Sequence, residues 1–145
     1  CVYDIMDAIK EKDAFLATGH ISPEESLILC REGRKRGVNM ILTHPEFPRT
    51  RIGRDDQAEL AKLGVVIEKN WFNLAQKSVM PEEMAETIRT VGSGHVYLAT
   101  DRGQKGAPTP VSELKRFIAV MLTCGIAEAQ IRDMVQKVPE EIVCR

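Results

Sequence analysis

Residues 16–25, with the sequence L-A-T-G-H-I-S-P-E-E, decide how the beginning of this chain folds. The apolar residues belong to a run, Ala14–His20, that has the length of a buried strand. Ser22 then opens a helix, because a proline occupies the first helical position and Glu25 follows the cap by three residues, as in a capping box. The stretch therefore predicts a strand that ends in a histidine and passes directly into a helix.

The same unit is repeated along the chain. Further strands are predicted at Asn39–His44, from Val65 to Glu68 with an extension to Trp71 left open, and at His95–Asp101. The predicted helices cover residues 2–10, 22–36, 55–63, 81–91, 110–124 and 127–137, the last of them ending before Pro139. Strands that alternate with helices predict the α/β class and a parallel sheet covered by helices. No linker divides residues 1–145, so we expect one domain.

Composition and charge are those of an ordinary soluble domain, with 43% hydrophobic and 28% charged residues and a net charge of -1. This charge gives no reason to expect nucleic acid or a membrane surface as a partner, and no apolar stretch has the ~20 residues that a membrane span requires. The four cysteines lack metal-site spacing and are interpreted as reduced thiols of a cytoplasmic protein. Because Cys1 already stands at a helix in progress, we expect the chain to begin inside a longer protein.

Each predicted strand ends in a polar residue that can bind a metal or transfer a proton. These residues are His20, His44, Glu68 and Asp101, separated by 24, 24 and 33 residues, or about one strand–helix unit each. The carboxyl ends of parallel strands meet at one edge of a sheet, which carries the active site in barrel enzymes. We therefore expect the four side chains to converge.

Two imidazoles and a carboxylate suit a divalent transition metal, with zinc favoured and manganese or iron(II) as alternatives. Such a metal makes hydroxide available at neutral pH, and Asp101 could bind the metal or accept the proton of the water. Alternate residues of a strand face the same side of the sheet, so Leu16 is predicted to face the site with His20, and Ala17 to pack against the helices. The same alternation from Asp101 places Tyr97 on the site side.

Each residue also has a structural interpretation. Either strand-end histidine could be a hydrogen-bonded structural residue, and Asp101 could cap the following turn. Glu68, with Lys69 beside it, could form a surface ion pair. His95 stands at the beginning of a strand, on the opposite side of the sheet, and is interpreted as structural.

Four motifs resemble the amidohydrolase superfamily, and within it an uncharacterised amidohydrolase-like branch. They are T-G-H-I-S-P-E-E at 18–25, T-H-P-E-F at 43–47, A-T-D-R-G-Q at 99–104 and G-I-A-E-A-Q-I-R-D-M-V-Q-K-V-P at 125–139. Members of the superfamily are metal-dependent hydrolases on TIM-type (β/α)₈ barrels. The resemblance covers nearly the whole chain and implies that it supplies strands five to eight, as a partial barrel.

The resemblance also implies roles for individual residues. His20 and His44 match metal-ligating histidines on the fifth and sixth strands, and Asp101 matches the eighth-strand aspartate that both binds metal and acts as the base. The H-x-H motif of the first strand and the acid or lysine of the fourth have no counterpart here. The chain as given is therefore expected to lack half of the metal site.

The expected function is cleavage of an amide, ester or lactone-type bond in a small molecule by activated water, with Glu68, Arg102 and Gln104 as substrate contacts; decarboxylation or isomerisation remains open. The alternative is a non-catalytic, flavodoxin-like open sheet that binds a ligand or partner at its strand ends. The expected protein partner is the remainder of the barrel or a second copy, because four strands of a barrel leave two edges unpaired.

Overall fold

A computed structural model describes residues 1–144 and contains one four-stranded sheet. All strands are parallel, and they lie in the order β1-β2-β3-β4. Their bounds are β1 Phe15–Ala17, β2 Asn39–Leu42, β3 Val66–Asn70 and β4 Val96–Ala99. The prediction of an α/β fold with a parallel sheet is confirmed.

Helices connect and flank the strands. They are α1 Val2–Glu11, α2 Pro23–Lys35, α3 Arg54–Lys62, α4 Trp71–Ala75, α5 Pro81–Val91, α6 Pro110–Thr123, α7 Glu128–Arg132 and α8 Val138–Val143, with a 3₁₀ turn at Ser93–His95 and a π-helical turn at Asp133–Lys137. Among the described residues, no helix combines the length and the apolar character that a membrane span needs. The described cysteines are free thiols, and burial raises the pKa of Cys30 to about 12.

The strand order follows the chain order without a reversal. Because crossovers between parallel strands are right-handed, successive crossovers in one direction carry their helices to the same face of the sheet. A flavodoxin-like sheet differs, since its order reverses at a switch point and its helices cover both faces. The sheet described here has no switch point.

The two faces of the sheet differ in burial accordingly. The face that packs against the helices is almost fully buried and includes Met40, Leu42, Ile67, Val96 and Leu98. On the opposite face Ile41, Glu68 and Asn70 are also buried, but Ala17 is exposed, and Tyr97 and Ala99 are half-buried, so this face is only partly covered. In residues 1–144, β1 pairs only with β2 and β4 only with β3, so both outer edges of the sheet lack a strand neighbour.

Three of the strands, β1, β2 and β4, are shorter than predicted, and the shortening of β1 changes its facing. β1 ends at Ala17, and Gly19 adopts a positive φ of 64° before His20, so the two-residue alternation does not extend from the strand to the histidine. Leu16 pairs with Met40 and packs against the helix-side core, while Ala17 is exposed on the other face. The predicted facing of Leu16 and Ala17 is therefore wrong, whereas Tyr97 does lie opposite the helix layer, paired with Glu68.

Two helices also differ from the sequence prediction. The third strand passes directly into α4, because the Asn70 side chain caps the helix by accepting a hydrogen bond from the Phe72 amide at 2.9 Å. The last helical region continues beyond Pro139 to Val143. A π-helical turn precedes this proline, and its wider backbone has room for a ring that would clash in a regular α-helix.

The capping box at the start of α2 is confirmed. The Glu25 amide donates to Ser22 Oγ at 3.2 Å, and the Ser22 amide donates to Glu25 Oε2 at 3.1 Å. The Ser22 hydroxyl, and next its amide, lower the pKa of Glu25 by hydrogen bonding to the charged carboxylate. This cap fixes where the chain turns after His20.

Replacing the capping hydroxyl is expected to weaken the fold slightly. Ser22→Ala removes the acceptor for the Glu25 amide and should lower the free energy of unfolding by about 1 kcal/mol, whereas Ser22→Gly should cost only a few tenths. Urea denaturation measures both. Equal losses for the two variants would contradict a capping role.

A buried ion pair lies on the helix side of β3. The Lys69 ammonium is fully buried and donates to Glu46, which lies in the loop after β2, and to Gln57 Oε1 at 2.6 Å. Gln57 in turn donates to the Ile52 carbonyl at 2.8 Å. This corrects the sequence interpretation of Lys69, whose partner is not Glu68 at the surface but Glu46 in the interior.

Breaking this pair is expected to destabilise the protein far more than removing both charges. Lys69→Met leaves the Glu46 carboxylate buried without a cation and should cost roughly 3–5 kcal/mol, and the double variant Lys69→Met/Glu46→Gln should recover most of that loss. A urea-denaturation double-mutant cycle measures the coupling.

The exposed pair Arg51–Glu83, with atoms 2.9 Å apart, provides the matched control cycle. Its coupling should not exceed about 1 kcal/mol, because solvent screens exposed pairs. Additive losses in the Lys69 and Glu46 cycle would refute the coupling.

Candidate functional site at the strand ends

A cleft of about 400 Å³ opens at the carboxyl edge of the sheet. Its volume lies within the range of small-molecule sites. The residues that line it are His20, His44, Phe47, Arg49, Phe72 and Asp101. The structure thus brings together the three residues that the sequence predicted as metal ligands.

The two histidines and the aspartate stand close to one another. The ring centroids of His20 and His44 are 5.1 Å apart with their planes inclined by 30°, and His44 Nε2 lies 3.9 Å from Asp101 Oδ2. His44 is buried, whereas His20 and Asp101 are exposed at the mouth of the cleft. The side chain of His44 therefore forms the floor of the group, and the other two can be reached from solvent.

His44 is held in an unusual backbone conformation. Its φ is 49°, in the left-handed region that costs a non-glycine residue roughly 1–2 kcal/mol. Two hydrogen bonds support this conformation: the His44 amide donates to Glu68 Oε2 at 2.9 Å, and the Thr50 hydroxyl donates to the His44 carbonyl at 2.6 Å. Asp101 has a similar φ of 48°. Strained backbone is often found at functional sites, and both strained residues face this cleft.

Glu68 lies inside β3 rather than at its end, and only 7% of its surface is exposed. Its carboxylate accepts the His44 amide and, at 3.3 Å, the Asn70 side-chain amide. Burial, and then the charge and hydrogen bonding of Glu68, raise the pKa of Tyr97. In these contacts Glu68 supports His44 from beneath the cleft, and its role as a substrate contact stays a prediction.

Two further predicted substrate contacts lie in the loop after β4. The guanidinium of Arg102 forms an ion pair with the buried Glu113 at 3.4 Å and lies over the Phe72 ring, with 5.7 Å between the guanidinium carbon and the ring centroid. Gln104 donates to the Asp101 carbonyl at 3.2 Å. Trp71 also donates to Glu113, at 2.5 Å. These contacts hold the loop in place, and contact of Arg102 or Gln104 with a substrate remains a prediction.

Sequence reasoning missed three residues that line the cleft. Phe47 packs edge-on against His20 and His44, with ring centroids 6.4 and 6.2 Å apart, and Arg49 follows it in the same loop. Phe72 belongs to the unpredicted helix α4. The sequence signal for the first two was an aromatic and a basic residue, Phe47 and Arg49, a few positions after the candidate ligand His44. The path of their loop is not defined by the sequence alone.

The donor types at this site fit a divalent transition metal. An imidazole nitrogen binds zinc at about 2.0–2.1 Å, which places two ring centroids on one tetrahedral ion roughly 5 Å apart, close to the separation of His20 and His44. The His44 Nδ1 atom is buried without a hydrogen-bond partner. In the described part of the chain, however, no three His, Cys, Asp or Glu side chains are already grouped as a metal site. The chemistry of the donors fits, but a metal site is not preformed.

His95 lies away from the cleft. It occupies the 3₁₀ turn before β4, at the amino end of the strand, and does not line the cleft. This position agrees with its predicted place at the beginning of a strand, on the opposite side of the sheet, and a structural role for its side chain stays an interpretation.

A family model described as a family of unknown function (DUF6282) matches residues 1–68, which is less than half of the 145-residue chain. The matched part includes His20 and His44, whereas Asp101 lies outside it. No curated protein and no solved structure matches the chain. Because the function of the matched family is unknown, the match does not support the resemblance to the amidohydrolase superfamily, which stays a hypothesis.

Proposed function

We propose that this chain contributes His20, His44 and Asp101 to the site of a metal-dependent hydrolase that acts on a small molecule. The observation that carries the proposal is the convergence of these three residues, from three different strand–helix units, in one cleft of about 400 Å³. The ring separation of 5.1 Å and the carboxylate 3.9 Å from His44 support a shared ligand set. Zinc is the favoured ion, with manganese and iron as alternatives.

Each residue has a separate task in the proposed reaction. A bound divalent metal would supply a water pKa lowered to about 7 and a polarised carbonyl. The His20 and His44 rings would hold the ion, and the Glu68 carboxylate would keep the His44 backbone in place through its amide. Asp101 is exposed and can accept the proton of the attacking water. The rings of Phe47 and Phe72 would exclude bulk water from the reacting bond.

We further propose that the four strand–helix units form half of a TIM-type barrel. The consecutive strand order, the helices on one face and the half-open opposite face support this arrangement. Unpaired edges of β1 and β4 within residues 1–144 give further strands a place to add. The missing strands would come from the remainder of a barrel or from a second copy of the chain.

Metal titration tests the ligand set. In a Cys1→Ser/Cys144→Ser background, which removes the exposed thiols, calorimetry with Zn²⁺ and the visible spectrum of Co²⁺ should report one site. His20→Asn, His44→Asn and Asp101→Asn should each weaken metal binding at least about tenfold. Asparagine is chosen because it tolerates the positive φ of His44 and Asp101.

His95→Asn is the matched control, because it removes the remaining histidine of the chain at the opposite end of the sheet. It should leave metal affinity unchanged. Three ligands from this half of the site should suffice for measurable binding, so the proposal is refuted if no metal binds, or if His95→Asn weakens binding as much as His44→Asn does.

Sedimentation velocity tests the open edges. The isolated chain at micromolar concentration should sediment as a dimer or a larger species, because the unpaired edges and half-open face favour association. A folded monomer that stays monomeric across a tenfold range of micromolar concentrations would contradict the barrel proposal.

A further inference from the structure

Of the residues that the structure describes, Arg49 is the arginine that lines the cleft. Among residues 1–144, its guanidinium has no hydrogen bond or ion pair, and it is exposed in the loop after β2. The nearby arginines are engaged elsewhere: Arg51 donates to the Ser78 carbonyl and to Glu83, and Arg102 pairs with Glu113. In the part of the chain that the structure describes, Arg49 is therefore a cation of the cleft whose donors are available to a ligand.

The position of Arg49 is set by the loop that carries it. The amide of Thr50 donates to the Phe47 carbonyl at 3.0 Å, and its hydroxyl donates to the His44 carbonyl at 2.6 Å. The Ile52 amide closes the loop by donating to the Pro45 carbonyl at 3.0 Å. Glu46, between these bonds, is fixed by the buried Lys69. A loop held by these contacts presents Arg49 at a defined place relative to His44.

The remaining lining of the cleft indicates the shape of the ligand. Phe47 and Phe72 contribute aromatic rings, which favour contact with a flat or apolar group. A guanidinium recognises a carboxylate or phosphate with paired hydrogen bonds. Asp101 has the opposite charge and would repel an anionic group at its own end of the cleft.

We propose that the cleft binds a small organic anion with a flat apolar group, and that Arg49 binds its anionic end. The apolar group then lies against Phe47 and Phe72, and the rest of the molecule points to His20, His44 and Asp101. Identifying this anion as a substrate rests on the proposed function, whereas its binding by Arg49 does not require a metal. Arg49 is thus assigned as the residue that selects anionic over neutral ligands.

Benzoate and its neutral analogue benzamide test this assignment in the metal-free protein, which is prepared by passage over a chelating resin so that no free carboxylate chelator competes for Arg49. Binding is measured by NMR titration at low ionic strength. Benzoate should bind at least about tenfold more tightly than benzamide, and Arg49→Gln should remove that preference. Arg49→Lys should retain part of it, because lysine keeps the charge but loses the paired geometry.

Arg51→Gln is the matched control, since Arg51 lies two residues away and faces Ser78 and Glu83. It should leave benzoate affinity unchanged. The assignment is overturned if benzoate does not bind, if benzamide binds equally well, or if Arg49→Gln binds benzoate as the parent does. Since no metal is present, failure here leaves the metal titration standing, and failure of the metal titration leaves this result standing.

Discussion

Two adjacent charged residues of β3 hold the loop after β2 from opposite sides of the sheet. Glu68, on the open face, accepts the His44 amide, and Lys69, on the helix face, pairs with Glu46 two residues further along. Because neighbouring residues of a strand point to opposite faces, β3 contacts the loop after β2 from both faces of the sheet. His44, Phe47 and Arg49 all depend on this double attachment for their positions.

Burial strengthens these contacts, but it also requires a partner for each buried charge. Both carboxylates and the ammonium are removed from water, so each needs a partner of opposite charge or several donors. Glu68 satisfies its charge with backbone and side-chain donors, while Glu46 and Lys69 neutralise each other. The attraction between Glu46 and Lys69 counters part of the cost of desolvating that pair. The loop after β2 is thus held in place by contacts within the protein, which favours selective binding.

Topology made part of this arrangement predictable. The cap at Ser22 and the alternation of strands and helices have local sequence signals, and parallel strands necessarily bring His20, His44 and Asp101 to one edge. The facing of Leu16 was not predictable, because Gly19 interrupts the alternation between β1 and His20.

Other features depend on contacts that no local pattern encodes. A lysine is normally expected at the surface. The sequence around Lys69 does not indicate that it is buried, because its buried partner Glu46 is 23 residues away in the chain. Helix α4 is too short for periodicity to reveal, and with it Phe72 escaped prediction. Arg49 lies in a loop whose shape is set by bonds to Phe47 and His44, so its approach to the cleft follows from tertiary structure alone.

The left-handed backbone at His44 and Asp101 limits which amino acids can replace these two residues during evolution. Branched residues such as valine or isoleucine would strain the main chain at either place, whatever their effect on chemistry. A descendant that lacks the proposed activity would therefore be expected to carry mainly asparagine, aspartate or glycine at these positions. Loss of chemistry could then leave the shape of the cleft almost untouched, as a starting point for a role in ligand binding alone.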